Sequence, residues 1–349
     1  MRTEIPDITG VRRSLHPQEQ WEWPIAVYLY LAGLGAGALT IGLLTGWLVR
    51  PNLPTRAVLL WGPLFVAIGA PFLILDLGKK TRFLNACLNP RSSWAARGFL
   101  ILSTLIITGL AVFAASFLPW ALPLVGLEVP RWLDGSLPLF RVLEVVAIVF
   151  AIGTAAYTGV FLKSVRYVAL WNTWFLPVLF LVSALSTGSM GIIVSLLGFG
   201  LVSHNDAMRE LSHTLMPVEQ ILVVIEALVL VSYLVLRHRS GETATGSIRL
   251  LLRGKLRFVF WIGIVALGVL LPTILENVYS RFPDYPALLF VTGASLLTGG
   301  FFLRYGVVKG GIKNQHPLHK MVPMQYDWRG LSTVGEGEPA VHEQGTEHV

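Results

Sequence analysis

Charged side chains are scarce in this chain. Asp, Glu, Lys and Arg together make up 13% of its 349 residues, about half the roughly 25% of an ordinary soluble domain, and the mean hydropathy is +0.65. So little charge cannot cover a water-facing surface, which excludes a soluble fold and makes the bilayer the solvent. Cysteine is nearly absent as well. The single Cys87 rules out an intramolecular disulfide, a zinc site of several thiolates and a self-held iron–sulfur cluster, each of which takes two or more sulfurs. Any such electron carrier has to come from a partner. Also lacking is a nucleic-acid motif: the net charge of +7 is spread over loops between apolar runs, so a membrane surface and its lipid are the expected partner rather than nucleic acid. Residues 1–22 mix acidic and basic groups with no short apolar core ending in a small-residue cleavage site, so no signal peptide is expected.

What the chain has in abundance is apolar length. A helix needs about 20 residues to cross roughly 30 Å of hydrocarbon, and windows of that kind read at 24–49, 57–75, 98–118, 142–162, 174–197, 217–236, 258–275 and 285–303. The expected fold is an all-α integral membrane protein of eight transmembrane helices over 24–303, packed as two four-helix bundles. It is flanked by a tail at 1–23 and a polar tail at 304–349 that docks on a partner or is disordered. Eight spans put both termini on one side. The loops on that side carry 21 Lys and Arg against 6 on the other, so the positive-inside rule predicts cytoplasmic termini. Trp21, Trp23, Trp47, Trp120, Trp132, Trp171 and Trp174 fall at span ends, where an aromatic belt is expected.

Of all the charged side chains, only Glu144, Glu219 and Glu226 fall inside a window. Intramembrane carboxylates are costly and need a reason. An interfacial position suits Glu144 and Glu219, each within a turn of a window end, but Glu226 lies about nine residues deep. All three are candidates for proton transfer. Ser183, Ser186 and Thr187 are spaced i, i+3, i+4 and form a hydroxyl stripe, which either bonds back to helix carbonyls or offers a proton path. Asp76 closes the second helix beside Lys79 and Lys80, where it forms a surface ion pair or exchanges protons. Tyr28 and Tyr157 sit about one turn inside their helices on the same membrane side, as interfacial anchors or as a pair flanking a quinone head group. All eight histidines lie outside the windows, so the axial ligands that heme requires are not expected.

Taken together, Trp23-Pro24 with Tyr28 through Gly37, Asp76-Leu77-Gly78, Tyr157-Thr158-Gly159, Leu170-Trp171-Asn172 and the run Leu176 to Gly188 resemble the membrane-anchor subunits of the NrfD/polysulfide-reductase type, or PsrC-like proteins. The resemblance is good over residues 21–235 and confined to hydropathy beyond them. It implies a heme-free and metal-free anchor in a prokaryotic cytoplasmic membrane that exchanges electrons between quinone or quinol, menaquinone or ubiquinone, and a ferredoxin-like iron–sulfur subunit. That subunit often serves a large molybdopterin-type oxidoreductase holding molybdenum or tungsten. By resemblance, the head-group site lies among Tyr28, Asp76, Tyr157, Trp171 and Asn172, with Tyr157 as the principal phenol and Tyr28 where some members carry histidine. Familiar members hold the partner outside the cytoplasmic membrane, whereas the charge count places this quinone face inside. The competing class is a proton-coupled secondary transporter, in which the glutamates carry the coupling proton. Paired interrupted helices in the two halves, which such a transporter should show, are not found in the sequence.

Overall fold

The computed structural model describes residues 4–5, 13–14, 18, 21–48, 56–75, 94–130, 138–204 and 206–313. Asp76, Trp132 and Cys87 lie outside the described residues. Apart from a short antiparallel pair, β1 (Glu4–Ile5) with β2 (Arg13–Ser14), and an isolated bridge between Val168 and Lys313, the described elements are helical. In chain order they are α1 (Trp23–Leu48), a 3₁₀ turn at Val58–Leu60 leading into α2 (Trp61–Leu75), α3 (Trp94–Leu124), α4 (Pro138–Lys163), a 3₁₀ turn at Ala169–Trp171, and α5 (Phe175–Val202). Then follow α6 (Asp206–His238), α7 (Glu242–Leu252), a π-helix at Val259–Leu270 that runs into α8 (Leu271–Arg281), and α9 (Pro286–Lys309). Among the described residues seven spans are long and apolar enough to cross a bilayer, and the Val58–Leu73 segment is a shorter apolar helix beside them. The protein is an all-α, multi-pass membrane protein.

Hydrophobicity around the whole helix circumference explains why these segments form spans rather than surface helices. The outward faces are apolar: Ile107 on α3 and Ile221, Val224 and Leu228 on α6 are 54–67% exposed, a pattern water would penalise and lipid tails do not. Several hydroxyl groups inside the spans are satisfied by their own helices. Thr40 donates to the Ala36 carbonyl at 2.9 Å and Thr108 to the Thr104 carbonyl at 2.7 Å.

Helices α1 and α5 are the structural centre. Helix α1 packs against α2, α4, α5 and α9, while α5 packs against α1, α4, α6 and α9. The α1–α5 crossing is so tight that a Cβ added to Gly37 would overlap the Ala184 backbone and one added to Gly188 would overlap Gly37. Only glycine lets the two backbones approach this closely without the hydrophobic drive available in water. Around this pair, α3 lies against α2 and α4, and the π-helix with α8 lies against α9.

Candidate functional site

Two polar regions stand out inside the helices. The first is at the membrane end where α1 begins and α4 ends. Tyr28 is wholly buried there, and its hydroxyl has no hydrogen-bond partner among the described residues. An orphaned buried phenol is costly, at about 1–3 kcal/mol, and is the kind of group that a ligand acceptor satisfies. Tyr157 of α4 lies near enough for the two phenols to interact electrostatically. Its hydroxyl donates to the Trp94 carbonyl at 2.8 Å, and its ring occupies the space that the absent side chain of Gly98 leaves open on α3.

From Tyr157 an aromatic row runs toward the chain's start. Its ring is 5.8 Å from Phe161, Phe161 is 5.2 Å from Trp21, and Trp21 is 5.3 Å from Trp171. Trp171 is fully buried and donates from its indole to the Val307 carbonyl at 2.8 Å, so it belongs to this row and not to an interfacial belt. Trp23, Trp47 and Trp174 are 39–69% exposed, as belt residues should be. Gln18 holds the row in place: its side chain donates to the Trp21 and Val308 carbonyls at 2.9 and 3.0 Å and accepts from the Trp21 amide at 2.8 Å. Asn172, next to Trp171, is exposed, with its carbonyl accepting from Arg237.

The second polar region lies among α5, α6, α8 and α9. Arg304, wholly buried near the end of α9, donates to Ser183 Oγ at 2.7 Å and to the Gly300 carbonyl at 2.9 Å, while its Nε and second terminal nitrogen have no acceptor among the described residues. Its guanidinium also lies 5.8 Å from the ring centre of Tyr30 and 5.5 Å from that of Phe180. Glu226 is the carboxylate in its field. Ser186 reaches Glu219 at 3.5 Å. Glu276 of α8 is close enough to Glu219 for the two carboxyls to interact, and Glu219 Oε2 and Glu276 Oε1 have no hydrogen-bond partner among the described residues. Both side chains of this pair are at most 1% exposed.

The hydroxyl stripe therefore divides in two. Thr187 donates back to the Ser183 carbonyl at 2.7 Å, whereas Ser183 accepts from Arg304 and Ser186 donates to Glu219. Glu144 joins neither region: its carboxylate accepts from Trp47 at 2.7 Å and pairs with Arg141 at 3.2 Å toward the opposite end of α4 from Tyr157. Glu276 and Arg304, which belong to the second region, were not among the sequence candidates. The apolar windows closed at 275 and 303, one residue before each of them. Among the described residues no group of three or more His, Cys, Asp or Glu side chains could hold a metal ion.

Comparison with known proteins gives this arrangement a family. Residues 13–314 match the family model described as polysulphide reductase, NrfD. The chain belongs to the NrfD family. A polysulfide reductase subunit of Wolinella succinogenes is 30% identical over 275 residues, covering 73% of this chain and 82% of the relative. Protein NrfD of Escherichia coli is 28% identical over 313 residues, covering 83% and 94%. The NrfD homolog of Haemophilus influenzae is 25% identical over 325 residues, covering 84% and 95%. The matched region of the NrfD family takes in both polar regions.

Proposed function

We propose that this protein is the heme-free membrane anchor of a respiratory oxidoreductase complex, binding quinone or quinol beside Tyr28 and Tyr157. The orphaned hydroxyl of Tyr28, facing Tyr157 at the mouth of α1 and α4, carries the reading. A quinone carbonyl is an acceptor that a buried phenol lacks, and the row Phe161, Trp21 and Trp171 supplies flat apolar walls. Asp76 and Asn172 are proposed as further head-group contacts. Oxidation of a quinol releases two electrons and two protons; the electrons pass to an iron–sulfur cluster of a ferredoxin-like partner, and the protons leave through groups of this protein. Such a partner would in turn serve a large molybdopterin-type oxidoreductase carrying molybdenum or tungsten. The basic loops favour a quinone face at the cytoplasmic side of a prokaryotic cytoplasmic membrane.

The second polar region is the proposed proton conductor. The proposed path runs through Glu226, Ser186, Glu219 and Glu276, with Ser183 and Arg304 beside it. Glu144, held in its exposed ion pair, and Thr187, bonded to its own helix, are given lesser parts in this reading.

Tyr157→Phe tests the site. Quinol-driven reduction of the partner should fall at least tenfold while the partner remains bound in pull-down. Unchanged turnover would remove Tyr157 from the site. The intramembrane glutamates also suit a proton-coupled transporter. Substrate-dependent proton flux into liposomes containing this protein alone, with no quinone present, would favour that reading over the anchor.

A further inference from the structure

A cavity of about 580 Å³ lies between the end of α6 and α7, away from both polar regions already described. Its lining is almost wholly apolar, with Ile248 and Leu252 among the walls, yet His238, Arg239, Arg249 and Arg253 stand at its rim. All four rim residues are exposed. Among the described residues no carboxylate pairs with any of the three arginines, and Glu242 is the one acidic residue between 237 and 257.

The surroundings fix the depth of this cavity. Helix α7 has 11 residues, about half the length a span needs, and buries Ala244, Ile248 and Leu251 on one side, so it lies along the membrane surface rather than across it. Trp261 donates from its indole to the Leu252 carbonyl at 3.1 Å while remaining 54% exposed, the posture of a tryptophan at the head-group level. Below the rim, Val235, Val231 and Leu228 of α6 form an outward apolar track, 46%, 58% and 63% exposed, at the spacing of one helix face.

We infer that this cavity binds one anionic phospholipid, with its phosphate among Arg239, Arg249 and Arg253 and an acyl chain along the α6 track. An apolar floor under an unpaired cationic rim matches an amphiphile with a negative head and excludes a neutral quinone, which would leave the arginines unanswered. Basic groups at a membrane surface each strengthen such binding by roughly fivefold, so three together give a preference on the order of a hundredfold.

The test is lipid retention. The full-length protein is purified in mild detergent, offered phosphatidylglycerol or phosphatidylcholine with identical acyl chains, and weighed intact by native mass spectrometry. Wild type should hold one phosphatidylglycerol at least tenfold better than phosphatidylcholine. The triple variant R239Q/R249Q/R253Q should lose that preference, and R239K/R249K/R253K should keep most of it. Should the glutamine variant fail to fold, the single change R249Q, which should lower retention about fivefold, replaces it. Equal retention of the two lipids by wild type, or undiminished retention by the glutamine variant, overturns the inference. So does displacement of the lipid by millimolar inorganic phosphate, which would mark a free-anion site. Loss of a copurifying protein from the glutamine variant with lipid retention unchanged would assign the rim to a protein partner instead, and would equally overturn it.

Discussion

Arg304 and Ser183 meet across the interface of α9 and α5, the guanidinium donating to the hydroxyl at 2.7 Å in a wholly buried setting. An arginine there is anchored by a hydroxyl, a helix carbonyl and two aromatic faces, and Glu226 is the acid in its field. Hydrogen bonds to a charged group are typically worth about 1.5–3 kcal/mol each. Arg304→Gln should therefore lower thermal stability strongly. Adding Glu226→Gln should restore part of the loss, which a double-mutant cycle on detergent melting curves would show. Strict additivity of the two changes would mean that the arginine and the glutamate do not interact.

The carboxyl pair Glu219 and Glu276 predicts a different split between stability and transport. Glutamine keeps the shape of the side chain and can donate a hydrogen bond, yet cannot carry an exchangeable acidic proton. Glu219→Gln and Glu276→Gln should each change stability by no more than about 1 kcal/mol and slow proton transfer by at least a hundredfold. A pH-sensitive dye in liposomes containing the intact complex reads this directly. Normal proton uptake by both variants would reduce the pair to a structural link between α6 and α8. Glu144→Gln, in the exposed ion pair, should leave uptake unaltered.

Tyr28→Phe separates a ligand-binding hydroxyl from a structural one. Because that hydroxyl has no partner among the described residues, its loss should not destabilise the protein and is expected to raise the melting temperature slightly. The same change should weaken quinone affinity by about tenfold, the worth of one hydrogen bond of about 1.4 kcal/mol. A fall in melting temperature with unchanged affinity would give the phenol a structural role.

Gly188→Ala and Gly46→Ala make a matched pair. The first Cβ would collide with the α1 backbone at Gly37, and the second would meet nothing within 4 Å. The change at Gly188 should cost several kcal/mol or block accumulation in the membrane, as overpacking against immovable backbone does. The change at Gly46 should be neutral or mildly stabilising through helix propensity. Melting curves of the two variants side by side measure the difference.

Much of this architecture can be read from sequence because lipid imposes a simple rule, that a span must be apolar for its full length. The shared depth of Tyr28 and Tyr157 followed from counting turns, and Glu226 from its position far from either helix end. The same rule concealed Glu276 and Arg304. A window drawn to exclude charge has to stop where a charge begins, so a buried charge near a helix end is assigned to the loop. For Arg304 a signal was present: Gly299-Gly300 precedes it and Gly306 follows it, a run of small residues that marks a crowded interface rather than a water-facing end. For Glu276 no local signal exists, since its partner Glu219 lies 57 residues earlier in the sequence. The placement of Trp171 against Trp21 was equally hidden, because hydropathy gives a residue's depth but not its rotation about the helix axis.

Photoaffinity labelling distinguishes a quinone bound between α1 and α4 from one bound elsewhere. The intact protein in its native membrane is irradiated with an azido-quinone, and the labelled peptides are identified by mass spectrometry. Label on the peptides holding Tyr28 and Tyr157, competed away by excess unmodified quinone and lost in Tyr28→Phe/Tyr157→Phe, is the predicted result. Competable label confined to α6 and α9, with none on α1 or α4, would contradict the account.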